Sequence, residues 1–547
     1  MNAETTETTE TPETPVAIIG GGPVGFAIAL DLARRGRAST VIEQDPGTGT
    51  IMLAKAGTLN ERTLEILRRW GMAERVATYG FPEDFPRDTV YCTSLNGHFI
   101  GRDPMPSTRE RKLHPGCTEI LRKCPQFVFD PMMAKACIET GLVDVRYNAR
   151  FDNITQDDDT VSVEYTDRTS GKRKSLRAQY AVACDGANST AREALGIPFE
   201  GLLLSYSVSA MVRVKNLRQY HGFGDGERYM FIGEGGTWAN LTSVDGIELW
   251  RFTLIGSDYK FDLERLDMTA EIRRAFGRDD IPFEVVRYMP WRRSQGIARD
   301  YRAGRVLLAG DAAHTTSPTG GHGLNTGIGD SWALGWVLDA MLAGWGGERL
   351  LDAYGLERKP VAVRNSSNST QNFAAWTGSS DDWKVVTQSG PEADTARARI
   401  GAHLSASLQQ EWHSLGIGMG YRYEGSPIIV PDGTPPTPDD PSVYIQTARP
   451  GHRAPHAWLS EGRSTLDLFG RCFMLLRFGK ALPDAAPLAD AAAERGMPLQ
   501  VSDIDDPEIA ALYERKLVLV RPDDHVAWRG DALPDDAGSL LDTVRGA

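Results

Sequence analysis

The sequence predicts a mixed α/β protein in three parts: an open parallel βαβ domain, a mostly antiparallel sheet inserted into it, and a C-terminal α/β domain. Three observations carry this. The triple glycine Gly20-Gly21-Gly22 separates a short apolar run from an amphipathic segment. Residues 205–290 hold long strand-type stretches, SYSVSAMVRV and IELWRFTLIG among them, with one helical stretch near 266–276. Composition changes at Tyr421, where Pro-rich loops begin. A chain of 547 residues is too long for one core; at about 150 residues per domain it has room for three or four.

Taken in order, residues 1–14 are acidic, repetitive and without an apolar stretch, so they read as a disordered tail and not as a signal peptide. Val16-Ala17-Ile18-Ile19 suits a buried parallel strand. Residues 23–35 place apolar Val24, Ala27, Ile28, Leu30 and Leu32 in a helix, and Thr40-Val41-Ile42-Glu43 supplies the next strand. The whole is a βαβ unit of about 30 residues. Thr58 to Trp70 is an amphipathic helix closed by Gly71. Residues 143–185 alternate as strands with hairpins, Val306 to Ala309 returns to a buried strand, and a long helix starts near Asn325. These readings divide the chain into a discontinuous first domain (15–200 and 291–375), a substrate-side sheet (201–290), a helical linker (376–420) and a separable C-terminal domain (421–547).

Composition excludes several functions. A formal net charge of −13 argues against a nucleic-acid partner, which needs a basic face. No apolar run reaches membrane-spanning length. Cys92, Cys117, Cys124, Cys137, Cys184 and Cys472 form no C-x-x-C pair and no zinc spacing with histidine, so no metal is expected. Buried free thiols in a cytoplasmic enzyme are the simplest reading.

Three motifs carry chemistry. Gly20-Gly21-Gly22-Pro23-Val24-Gly25 matches G-x-G-x-x-G between a strand and a helix, and Glu43 ends the following strand. In that context Gly20 makes the turn, Gly22 admits a pyrophosphate at the helix N-terminus, and Gly25 permits helix–strand packing. This is the Rossmann-type fingerprint, with Glu43 placed to accept ribose hydroxyls. In GRVLLAGDAAH (304–314) a strand ends in Gly310-Asp311, and Ser317-Pro318-Thr319-Gly320-Gly321-His322-Gly323-Leu324-Asn325 then opens a helix. Asp311 could bind ribityl hydroxyls there, and the loop amides could face a polar ring edge. Cys184-Asp185-Gly186-Ala187-Asn188-Ser189-Thr190-Ala191-Arg192 repeats the strand-to-Asp-Gly pattern, which a helix cap alone would also explain.

The order and spacing of the three motifs resemble those of the single-component (class A) FAD-dependent aromatic hydroxylases. ARPGHRAPHAWL (448–459), STLDLFGRCFMLL (464–476) and VRPDDHVAW (520–528) are similar to the phenol-hydroxylase-like subgroup. The resemblance implies an FAD-binding domain, a substrate sheet and a thioredoxin-like C-terminal domain. It implies that Gly20, Gly22, Gly25 and Glu43 hold the ADP half of FAD, and that Arg122 and Gln126 lie against the flavin. It further gives Asp185 and Arg192 to a motif shared by FAD and NAD(P)H, and Asp311 to the pyrophosphate and ribityl region. Pro318, Gly321, Gly323, Leu324 and Asn325 would line the isoalloxazine. Three positions depart from the family pattern: Gln44 follows Glu43, Lys55 stands where the family has arginine and so lacks its bidentate fork, and Ser317 precedes Pro318. Lacking C-x-x-C, the C-terminal domain cannot run dithiol exchange alone.

The implied reaction is hydroxylation of a phenolic or catecholic ring, as in phenol degradation, using NADH or NADPH and O₂ through a C4a-hydroperoxyflavin. A larger polycyclic or polyketide aromatic is the alternative substrate, and a non-enzymatic flavin-fold binding protein is the alternative of another class. The sequence leaves the group that activates the phenol unassigned. Tyr229, His221, Arg213, His314 and Pro318 are candidates, and Tyr206, Trp238, Asn240, Trp250 and Arg251 are further pocket candidates from the inserted sheet. A homodimer is the default assembly.

Overall fold

The computed structural model describes residues 13–47, 56–376 and 381–547. Lys55 lies outside the described residues, as do residues 1–12 of the expected tail. The strand expected from Pro15 begins at Glu13, because Arg173–Ala183 is long enough to pair with it: Glu13 lies opposite Arg177 and Thr14 opposite Ala178.

The first sheet has the order Arg302–Ala303, Val306–Leu308, Arg173–Ala183, Glu13–Ile19, Ser39–Ile42, Val143–Arg146. Its pairings are parallel apart from that of Arg302–Ala303 with Val306–Leu308, and the hairpin Ala149–Gln156 and Val161–Asp167 extends Arg173–Ala183 antiparallel. Parallel strands bury both faces. Helix Pro23–Arg34 accordingly packs between Gln126–Glu139 and His322–Ala343. Its Asp31 accepts the Trp70 indole N–H at 2.9 Å.

The second sheet has the order His314–Thr315, Glu284–Ala298, Phe199–Arg213, Leu249–Ser257, Gly236–Ser243, Arg228–Gly233, Thr89–Cys92, Phe99–Asp103. It is therefore not confined to residues 201–290. Thr89–Cys92 pairs in parallel with Arg228–Gly233, which would otherwise be an open edge. One face buries Val208, Val212, Phe231 and Phe252 against Ile272 and Phe276 of helix Met268–Phe276. The other face receives the segment read as a linker. Trp376, Trp383, Ile400, Leu404 and Leu408 bury against Tyr91, Ile100, Met230 and Ile232, so this segment is core and not a tether.

The C-terminal sheet has the order Leu499–Ile504, Phe473–Phe478, Leu517–Val520, Val526–Gly530, its first pair parallel and the others antiparallel. With helices Ala486–Glu494, Pro507–Tyr513 and Ala537–Val544 this is the expected thioredoxin-like β-α-β-α-β-β-α succession. Cys472 is buried and free. The domain is not separable as the sequence suggested. Phe473, Leu475, Leu517 and Leu541 belong to the same core cluster as Trp336 and Trp345 of the first domain. Arg62–Asp524 (2.6 Å), Arg453–Glu65 (2.7 Å) and Arg521–Glu357 (2.5 Å) also cross the boundary, all buried.

Candidate active site

The carboxyl ends of the first sheet open into a cavity of about 1300 Å³ that continues to one face of the second sheet. At its first-sheet end it is lined by Gly20, Gly22, Glu43, Asp185 and Asp311, and further along by Gln126, Pro318, Gly321, Gly323 and Leu324. The loop glycines separate into two kinds. A Cβ on Gly25 would collide with the Gly20 carbonyl, so Gly25 is a packing glycine and does not line the cavity. A Cβ on Gly22, Gly186, Gly321 or Gly323 would meet no protein atom within 4 Å, and all four line the cavity. Gly20, at φ +105°, would press a Cβ onto the Cys184 carbonyl.

These features fit a dinucleotide. Bare Cα atoms border the space beside the N-termini of Pro23–Arg34 and His322–Ala343, where helix amides favour negative charge. The Glu43 carboxylate is fixed by the N–H groups of Gly21 (2.7 Å) and Asp45 (2.8 Å), leaving lone pairs for hydroxyl donors. Asp311, which follows strand Val306–Leu308 of the same sheet, is exposed and lines the cavity. FAD has the matching pattern of ribose hydroxyls, pyrophosphate and ribityl chain.

Other motif residues brace this wall. Arg192 donates to the Ala312 carbonyl at 2.9 Å and lies over the Phe199 ring, clamping one Asp-Gly motif to the other. Asn325 donates to the carbonyls of Thr58 (3.1 Å) and Gly321 (2.7 Å) and accepts from Asn60 N–H. Arg122 turns outward to Glu83 at 3.4 Å, and its neighbour Lys123 faces the cavity instead. Asp185 caps the short helix after it, accepting from Ser189 Oγ and Ala191 N–H, and still lines the cavity.

Four catalytic candidates do not line the cavity. Strand alternation turns Tyr229 to the helix-covered face, where its hydroxyl donates to the Gly224 carbonyl, while Arg228 faces the cavity. Burial raises the Tyr229 phenol well above its usual range. His221 packs edge-on to Tyr229, and burial lowers its pKa. Arg213 pairs with Glu248 at the far end of its strand. His314 is fully buried, 2.6 Å from Asp330. Trp238 sits at a strand bulge and carries Arg274 over its ring, and Trp250 packs on Tyr229. Pro318, Tyr206, Asn240 and Arg251 do reach the cavity.

Sequence reasoning missed a charged cluster at the second-sheet end. Glu227 takes Arg87 and Lys123, each at 2.6 Å. Burial opposes ionisation of Glu227, but the two cations outweigh it and hold the carboxyl below its usual range. Burial pulls the Lys123 ammonium down to about 8. Glu411 accepts from Arg228 and from the Trp376 indole, both at 2.9 Å. These partners come from separate segments, and nothing in the sequence near any one of them announces the others.

A family profile described as an FAD binding domain matches residues 13–369, and one described as an aromatic-ring hydroxylase C-terminal domain matches residues 447–547. The fold and cavity are those of an FAD-dependent aromatic monooxygenase, and the chain belongs to that family. Tetracenomycin B2 monooxygenase-dioxygenase of Streptomyces olivaceus is 30% identical, covering 97% of each chain. The 2,4-dichlorophenol 6-monooxygenase of Cupriavidus pinatubonensis is also 30% identical, over 97% of this chain and 95% of its own. The solved structure of the rebeccamycin biosynthetic enzyme RebC with reduced flavin is 38% identical, with a TM-score of 0.89 over 98% of this chain and all of that one. Among the described residues no helix is long and apolar enough to cross a membrane, and no group of side chains could hold a metal ion.

Proposed function

We propose that this enzyme hydroxylates a phenolic ring within a fused, multi-ring aromatic, with NADH or NADPH as reductant and O₂ as oxygen source. The observation that carries the choice of substrate is the broad aromatic wall at the cavity's second-sheet end. The whole cavity, dinucleotide space included, is about 1300 Å³, above the roughly 300–1,000 Å³ of a site for one drug-sized ligand, so it holds a cofactor and a substrate together. It is one continuous space shared by the dinucleotide wall and by Met289, Trp291, Trp376, Trp412 and Phe261. Tetracenomycin B2 monooxygenase-dioxygenase and RebC, a rebeccamycin biosynthetic enzyme, favour the same reading. A single-ring phenol is the second reading, favoured by the dichlorophenol relative.

In this reading Gly22, Gly186, Gly321 and Gly323 admit the cofactor's backbone, Glu43 accepts its ribose hydroxyls, and Asp311 its ribityl hydroxyls. Bound FAD supplies the redox chemistry that activates O₂ for transfer to an electron-rich ring. The protein's part is to orient that ring and exclude water. Trp291 and Trp376 provide flat apolar walls, and Tyr206 and Asn240 offer hydrogen bonds to a phenol.

NADH and NADPH oxidation against single-ring and fused-ring phenols, with peroxide measured alongside, tests the proposal. Fused-ring phenols should accelerate oxidation with little peroxide. Acceleration only by single-ring phenols would move the assignment to the second reading. Purified protein without a flavin spectrum, and unable to bind added FAD, would remove the enzyme reading altogether.

A further inference from the structure

The cavity's second-sheet end carries more positive charge than its own carboxylates neutralise. Arg87, Arg111, Lys123, Arg228 and Arg293 line it, against Glu227 and Glu411. Glu227 is taken by Arg87 and Lys123, and Glu411 by Arg228 and the Trp376 indole.

Arg293 differs from its neighbours. It is 2% exposed and lines the cavity, yet it forms no ion pair among the described residues. Nη1 donates to Ser317 Oγ at 3.0 Å, and Nε is buried without an acceptor. The rings of Phe373, Trp291 and Trp376 lie 4.2, 5.0 and 5.5 Å from its guanidinium carbon. Burial, opposed by the Glu411 carboxylate and reinforced by Arg251 and Arg228, lowers its pKa to about 9, so it is still charged at neutral pH. A desolvated guanidinium with no carboxylate partner and one buried donor lacking an acceptor is a standing cost to the fold, eased when an anion enters beside it. The pyrophosphate of a dinucleotide would lie at the other end, beside Gly22 and Asp311.

We propose that the substrate is an aromatic carboxylate, and that Arg293 receives the carboxylate while Trp291 and Trp376 flank the ring. This rests on the proposed oxygenation of an aromatic in this cavity and narrows it to anionic members of the class. A neutral analogue of the same shape forfeits the charge-assisted contact with Arg293.

The test compares 1-hydroxy-2-naphthoate with its methyl ester by titration calorimetry on the FAD-loaded enzyme, without reductant. The acid should bind about tenfold more tightly or better. Arg293→Met should bring the two affinities within about threefold of each other by weakening the acid alone, and Arg293→Lys should restore part of the preference because it keeps charge and loses the fork. FAD absorbance of each variant reports whether the fold and cofactor wall survive. Equal binding of acid and ester to wild type, or no binding of the acid at millimolar concentration, overturns the proposal whatever the variants do. A preference that persists in Arg293→Met, or a variant whose main defect is loss of FAD, overturns the role of Arg293. Because binding is read without turnover, selective binding with no hydroxylated product would sink the monooxygenase reading and leave the charge reading standing. Efficient hydroxylation of acid and ester alike would do the reverse.

Discussion

Asp330, in the middle of the long helix His322–Ala343, accepts the backbone N–H of Gly310 at 3.1 Å through a fully buried carboxylate. The same carboxylate takes His314 at 2.6 Å and Arg358 at 2.8 Å. Burial opposes its ionisation, and those two partners outweigh burial to keep its pKa below the usual range. The Gly310-Asp311 turn of the cofactor wall is thus held from behind by one side chain.

Asp330→Ala removes that hold and leaves Arg358 uncompensated in the core. It should cost about 3–5 kcal/mol of stability, the typical penalty for orphaning a buried charge, and FAD should be lost with it. Asp330→Asn keeps the shape and should cost less. Thermal melts with FAD content after gel filtration report both effects.

The two kinds of glycine give opposite phenotypes. Gly22→Ala places a methyl in open cavity, so the melting temperature of the apoprotein should not move while FAD affinity falls. Gly25→Ala drives a methyl into the Gly20 carbonyl, so the apoprotein itself should melt earlier. Equal effects of the two on apoprotein stability would contradict the assignment.

The C-terminal domain is bound to the flavin domain through its core. Glu357→Ala leaves Arg521 paired with the fully buried Asp523, so the loss of stability should fall below the about 3–5 kcal/mol of an orphaned buried charge. Truncation after residue 420 should give no folded flavoprotein, because it strips the cover from Trp336 and Trp345. A truncated protein that melts cooperatively and holds FAD would show that the shared core is dispensable.

His322 is 4% exposed and lies 3.2 Å from Asn368 Oδ1. Burial lowers its pKa from 6.5 to about 4, against the Asn368 hydrogen bond. The unfolded state therefore takes up the proton first. Stability from this group is complete above about pH 6.5 and declines as pH falls toward the folded value. Burial holds His452 and His456 near 4 as well, so they share this limb; melting temperature against pH should show it, and His322→Gln should make it shallower between those limits.

What the sequence disclosed follows from the range of the forces involved. GGGPVG, Glu43 and Gly310-Asp311 are legible because turn chemistry and a strand ending are local, and Gly20, Gly22, Glu43 and Asp311 line the cavity. Asp185 carried two readings, and the structure supports both, since it caps a helix and lines the cavity. Tyr229 was drawn from the correct sheet but lies off the cavity face, because which face of a strand meets the cavity depends on where helix Met268–Phe276 docks. Arg87, Lys123 and Glu227 come from three distant segments, and only the fold makes them one cluster. The merged C-terminal core was hidden for the same reason: Phe473 looks like an ordinary strand residue until Trp336 and Trp345 are seen against it.

The central claim is that this cavity directs oxygen onto an aromatic ring. The direct measurement supplies FAD-loaded enzyme with NADH or NADPH, a fused-ring phenol carboxylate and isotopically labelled O₂, and weighs the product by mass spectrometry. The account predicts one labelled oxygen atom in the hydroxylated product and little peroxide. Consumption of all the labelled O₂ as peroxide, with every fused-ring and single-ring phenol recovered unchanged, would contradict it.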